Sequence, residues 1–146
     1  MTRTIAVSLT IPDNEAFTAY ETLVRLGVPV ARVVRTIIWL FDFDAGAAGD
    51  LARDVADIES IANPNKHRLA ERESAFPLPG EVWIGARDEV PLTHVAGRVI
   101  TGVSAIRRRT AWRLIGADGS DLPAAERERA VAMFLLNPAF QEATFA

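Results

Sequence analysis

The chain has no cysteine, which excludes a disulfide scaffold and any chemistry that needs a thiolate. Long apolar runs are missing too. A membrane-spanning helix needs about 20 consecutive apolar residues, and the longest strong run here is Ile37-Ile38-Trp39-Leu40-Phe41. The stretch from Ile5 to Ile11 is broken by Ser8 and Thr10. It leads into Pro12-Asp13-Asn14-Glu15 instead of a small-residue cleavage site, so no secretory signal is expected. Histidine is scarce: His67 and His94 have no partner at metal-ligand spacing, and no Ser–His–Asp set can be argued from them. An excess of one charge is also absent, the net charge being −3 with 24% charged residues, and no aromatic RNA-binding signature compensates. Neither nucleic acid nor membrane is an expected partner, and no cofactor is expected. What is present is apolar: 49% of 146 residues, too much for a disordered chain and enough for one ordinary domain or two very small ones. The chain reads as soluble and cytoplasmic, without a recognisable catalytic motif.

An internal repeat at an offset of 74 residues organises it. Arg35-Thr36 matches Arg109-Thr110, Leu40 matches Leu114, and Asp44 matches Asp118. Without a gap, Arg53 matches Arg127, Ala56 matches Ala130, and Asn63-Pro64 matches Asn137-Pro138. Eight of the thirty positions from 35 to 64 are identical, where composition alone gives about two. The expected organisation is a tandem duplication, with copies over 1–75 and 76–146.

In the first copy, Ile5, Val7, Leu9 and Ile11 alternate with smaller or polar residues, the period of a half-buried strand. Asp13 is placed to cap a helix over 14–26, with Phe17, Tyr20, Leu23 and Val24 as its apolar stripe and Gly27 as its end. Arg32 to Phe43 reads as one long strand, or two joined by a bend near Arg35-Thr36. Asp42 to Gly46 turns the chain out of it. Leu51, Val55, Ile58 and Ala62 then mark an amphipathic helix that stops before Asn63-Pro64. Residues 65–80 either hold a closing strand or connect the copies.

The second copy opens with a strand at Glu81 to Gly85. Pro91 suits the first turn of a short helix, against which Gly97 and Gly102 speak. Val103 to Ile115 reads as the second long strand, followed by a turn at Asp118-Gly119. Pro123 starts a helix with Val131, Phe134 and Leu135 on one face, and Gln141 to Phe145 forms a last strand. A unit of about 70 residues seldom buries enough core alone. The expected fold is therefore α+β: two ferredoxin-like βαββαβ units forming a pseudo-twofold pair within one chain.

The helix ends Ser60-Ile61-Ala62-Asn63-Pro64 and Leu135-Leu136-Asn137-Pro138-Ala139-Phe140 resemble the Leu-Leu-Ala-Asn-Pro stop of PurS, the small subunit of phosphoribosylformylglycinamidine synthase. The long strand region Val30 to Phe43 after Leu26-Gly27-Val28 is similar too, and the likeness covers about 75 residues per copy. The resemblance implies a sheet-assembling βαββαβ fold. It also implies a non-catalytic subunit that bridges the glutaminase and synthetase subunits of a purine-biosynthesis ligase. Where that family carries Gly-Lys at the bend of the long strand, this chain has Arg35-Thr36 and Arg109-Thr110.

Those pairs, with Arg107 and Arg113, are the candidate partner or anion contacts. On a strand, Arg107, Arg109 and Arg113 share one face and Arg108 takes the other. Guanidinium forks there suit a phosphate or carboxylate clamp; the plainer reading is charge that protects a sheet. Asp42, Asp44, Asp50, Asp118 and Asp121 lack a calcium-loop pattern and read as turn and helix-start acids. His67 reads as exposed loop and His94 as a helix residue. Trp39 and Trp112 read as core or interface.

Besides the bridging subunit, two other classes remain open at this level. One is a stand-alone small-anion-binding or regulatory module of ferredoxin-like architecture, and the other is a small enzyme with its site between the halves. The long strands carry Trp39, Phe41, Phe43 and Trp112, and a chain this size hides only about two-thirds of its surface. A homo-oligomer, most simply a dimer, is therefore expected.

Overall fold

The computed structural model describes residues 1–44 and 49–146. The chain is mixed α/β, with a six-stranded antiparallel sheet and three helices among the described residues. Strands β1 (Thr2–Leu9), β2 (Arg32–Phe43), β3 (His67–Arg72), β4 (Glu81–Ala86), β5 (Val103–Ile115) and β6 (Gln141–Phe145) lie in the order β3-β1-β2-β5-β4-β6. Helix α1 spans Asn14–Arg25, α2 Leu51–Val55 and α3 Ala124–Ala130, the last running on into a π-helical turn at Val131–Leu135. No helix among the described residues is long and apolar enough to cross a membrane. Ala45 and Gly46, part of the turn expected after β2, lie outside the described residues.

The fold divides into two compact units. The first holds Met1–Pro12, Thr36–Ala75 and Glu89–Arg109, and the second holds Asp13–Arg35, Phe76–Asp88 and Thr110–Ala146. Each unit draws segments from both sequence halves, so these units are not the stretches 1–75 and 76–146. Both long strands change unit at matching points, between Arg35 and Thr36 and between Arg109 and Thr110.

In the first unit, β1 runs between β2 and β3, with Ile5 opposite Trp39 and Glu71, and Val7 opposite Ile37 and Leu69. On that face Ile5, Val7, Trp39, Phe41 and Phe43 pack with Leu51 and Val55 of α2, with Ile58, Ile61 and Ala62, and with Val95, Ile100 and Ile106. Thr4, Ala6, Ile38 and Leu40, on the opposite face, are buried as well. A strand buried on both sides has no polar alternation, which is why β2 carries the longest apolar run of the chain.

The expected second helix is cut short. After α2, residues 56–62 proceed in tight turns, with the Ala56, Ile58 and Ile61 amides bonding to carbonyls three residues back. The apolar spacing still marks the buried side chains, because successive turns keep Val55, Ile58 and Ile61 on the core side. The short helix expected at Pro91 does not form. Ala96, Gly97 and Gly102 take positive φ, which a helix forbids, while Val95 and Ile100 are buried from an irregular segment. His94 accordingly lies in that segment, exposed, its Nδ1 3.2 Å from Thr93 Oγ1.

In the second unit, β4 runs between β5 and β6, and Val82, Ile84 and Leu114 pack with Ala19 and Leu23 of α1, Val28, Val30, Leu122, Ala130, Val131 and Leu135. Asp13 caps α1 by accepting from the Glu15 and Ala16 amides, and Gly27 ends it at φ 82°, its amide and that of Val28 closing on Val24 and Leu23. The stripe of α1 differs from the expected one. Ala16, Ala19 and Leu23 face inward, whereas Phe17 and Val24 are 59% and 45% exposed. Small residues allow the helix axis to approach its neighbours closely, and the helix turns its bulky residues outward to do so. Pro123 starts α3 as expected, but the π turn leaves Phe134 42% exposed while Val131 and Leu135 are buried.

The two Asn-Pro sites close in the same way. The Asn63 carbonyl accepts from the amides of Lys66 (2.9 Å) and His67 (2.7 Å), and its Oδ1 accepts from Asn65 (2.9 Å). The Asn137 carbonyl accepts from Phe140 (3.3 Å) and Gln141 (2.9 Å), and its Oδ1 accepts from Ala139 (3.1 Å). Each asparagine amide donates forward to the side chain four residues on: to His67 Nδ1 at 2.8 Å and to Gln141 Oε1 at 2.9 Å. His67, expected as exposed loop, is thus the lock that starts β3. Glutamine already does the same task at 141, so His67→Gln should leave stability nearly unchanged. His67→Leu should cost about 1 kcal/mol by orphaning the Asn63 amide. Urea unfolding of the two variants checks this, and an equal cost for both would contradict it.

Candidate functional site

The four arginines of the candidate set, Arg35, Arg107, Arg109 and Arg113, are each held by a carboxylate. Arg35 donates from Nε and Nη2 to both oxygens of Asp13 at 2.9 and 3.1 Å, and its Nη1 lies 2.9 Å from Glu15 Oε2. Only 14% of its side chain is exposed. Arg107 donates to Asp42, whose other oxygen accepts from Thr2 Oγ1 at 2.5 Å. Arg109 donates to Glu89 at 2.6 Å, and Glu89 also accepts the Arg108 amide at 3.2 Å. Arg113 binds Asp121 through two parallel bonds of 2.7 and 3.1 Å. Thr36 is buried, and Thr110 is half-buried opposite Ile84 on β4. Within the first unit, Arg107 and Arg109 follow each other on β5 but reach different carboxylates. The expected parity also appears there: Arg108 points away from them, its guanidinium carbon 5.9 Å from the centre of the Trp39 ring.

These pairs assign the acids as well. Asp13 is both helix cap and counter-ion. Burial pushes its carboxyl up, but the bonds from Arg35 and from the Ala16 and Glu15 amides outweigh this and hold it below its ordinary value. The hydrogen bonds from Arg113 hold Asp121 low, and the same bonds raise Arg113. Gly80, at φ 86°, makes room for this pair: a Cβ there would lie 2.4 Å from the Asp121 carboxyl carbon. Asp118 is lowered by the hydroxyl and amide of Ser120, in the turn expected at that point. Asp50 caps α2 through the Arg53 amide. An anion arriving at any of Arg35, Arg107, Arg109 or Arg113 has to compete with a carboxylate already in place. The geometry makes these residues structural fasteners more readily than an open clamp.

A different feature of the second unit was not legible as a site. Asn14, Glu15, Thr18 and Ala19 of α1, Trp112 of β5, and Phe134 and Leu135 of the π turn line a hollow of about 420 Å³. Trp112, expected as core or interface, is half-buried against the second cluster and lines this hollow. Trp39 is buried in the first cluster, as a core residue should be. The π turn was hidden from sequence because nothing in Val131-Ala132-Met133-Phe134-Leu135 distinguishes it from an α-helical turn. Its mark is the Leu136 amide, which closes on the Val131 carbonyl five residues back at 3.0 Å.

The depressed acids set the response of the fold to pH. The unfolded chain takes up protons at ordinary carboxylate values, about 3.9 for aspartate. The folded chain resists until the pH is lower. The stabilisation from Asp13 and Asp121 is therefore fully present above that value and is lost as pH falls through the folded values. Asp13→Asn keeps a capping side chain and removes the charge. It should cost about 1–2 kcal/mol at neutral pH, and the gap to the parent should shrink as the pH falls below the unfolded aspartate value of about 3.9. Thermal melts across pH test this; a gap that stays constant into acid would contradict it. No protein-family model matches the chain, and no curated protein matches it in sequence.

Proposed function

We propose that the chain is a non-catalytic assembly subunit of the PurS kind, built as a tandem duplication of a ferredoxin-like βαββαβ unit. In this reading it acts as a cytoplasmic homo-oligomer that bridges the glutaminase and synthetase subunits of a purine-biosynthesis ligase. The observation that carries the duplication is the pair of Asn-Pro turns. Asn63 and Asn137 make the same set of hydrogen bonds, 74 residues apart, and each delivers the chain into a short strand, β3 or β6. The matching acceptors and donors at positions i, i+2, i+3 and i+4 support a common origin for the two turns.

The state of the arginines supports a scaffold more than a reaction centre. Arg35, Arg107, Arg109 and Arg113 each hold a carboxylate that caps a helix, tethers a strand end or closes a turn. A bridging subunit needs strands that present a fixed surface, and these pairs support that by tying each arginine to a carboxylate.

The test is reconstitution. The tagged full-length chain should co-purify with the glutaminase and synthetase subunits of its own cell's phosphoribosylformylglycinamidine synthase, in fixed proportion, under conditions that preserve such complexes. Recovery of neither subunit would overturn the bridging role.

A further inference from the structure

The hollow of the second unit has the make-up of a small-molecule site. Such sites span a few hundred Å³, are mostly apolar, and carry a few polar groups that orient the ligand; this one holds about 420 Å³. Its apolar lining comes from Trp112, Ala19, Phe134 and Leu135. An indole favours a flat ring stacked with an offset or met edge-on. The π turn contributes by its width: the bond from Leu136 back to Val131 lets the consecutive residues Phe134 and Leu135 both line the hollow. Turns of this type are frequent at functional sites.

The polar lining narrows the class of ligand. Glu15 lies 2.9 Å from Arg35, which also holds Asp13, so the two acids and one cation leave a net negative charge that disfavours an anionic ligand. Asn14 and Thr18, four residues apart, share one face of α1. Both are exposed, and neither side chain has a hydrogen-bond partner among the described residues. A carboxamide presents a donor and an acceptor side by side, which matches the N–H beside C=O edge of a lactam. We propose that this hollow binds a neutral, planar bicyclic heteroaromatic with a lactam edge, its ring against Trp112 and its edge on Asn14. The inference stands on the second unit's own residues and does not depend on the bridging role.

The chain has three tryptophans, hence three indole N–H resonances to watch by nuclear magnetic resonance. Quinazolin-4-one, a neutral bicyclic lactam, is titrated into the full-length protein. The expected result is a saturable shift of the Trp112 indole, assigned through Trp112→Phe, with Trp39 and Trp83 unmoved. Asn14→Ala should weaken binding about fivefold, and isoquinoline, which has the bicycle without the lactam edge, should bind the parent protein correspondingly more weakly. Asn14 is exposed, so its loss leaves the fold intact, and Thr18→Phe on the same exposed face should block the hollow independently. No saturable Trp112 shift up to the solubility limit overturns the site. Equal binding of both probes, or no effect of Asn14→Ala, overturns the lactam assignment.

Discussion

Two strands have to satisfy two hydrophobic clusters at once. β2 gives Val33 to the cluster of the second unit and Trp39, Phe41 and Phe43 to that of the first. β5 gives Ile106 to the first and Trp112 and Leu114 to the second. A strand is a single hydrogen-bonded rod whose side chains are fixed by alternation, and a slip of one residue would turn every one of these side chains to the wrong face. The register of β2 and β5 is therefore set twice over, once in each cluster. Much else follows from that demand, including the apolar run of β2, the neutralised arginines along β5, and the matched points at which both strands change unit.

Ion pairs on such a strand have a specific role. A cation on a half-buried sheet face needs a partner or it opposes folding. Arg35 is the most enclosed of the four, and it receives the cap of α1, so that helix start and strand are fastened by one carboxylate. Arg113 and Asp121 fasten β5 to the turn that follows it, with Gly80 leaving space for the carboxylate. These contacts join residues that sequence separates, and they give Arg107, Arg109 and Arg113 of the dense basic cluster a carboxylate partner each.

The elements that local chemistry decides were legible. β-Branched and aromatic residues gave the bounds of β2 and β5, while Asp13 and Gly27 marked the ends of α1. The 74-residue repeat marks both Asn-Pro turns. What was hidden depends on distant partners or on small backbone choices. Spacing of Leu51, Val55 and Ile58 reports burial and does not distinguish an α-helix from a chain of tight turns, so α2 reads too long. Phe17 is a good core residue by composition, yet the close fit of Ala16 and Ala19 sends it outward. The carboxylates that occupy Arg107 and Arg109 come from Asp42 and Glu89, a choice only tertiary structure makes. The hollow at Trp112 depends on the π turn, whose sequence is that of any apolar helix end.

The dependence of both clusters on the same two strands is tested most directly by differential scanning calorimetry of the parent and of two core variants. Phe41→Ala removes a fully buried ring from the first cluster, and Leu114→Ala does the same to a fully buried side chain of the second. Such truncations cost about 3–5 and 2–5 kcal/mol. Shared strands predict a single transition whose calorimetric and van't Hoff enthalpies agree, with each variant lowering that one transition as a whole. Two resolved transitions, one moved only by Phe41→Ala and the other only by Leu114→Ala, would contradict the account.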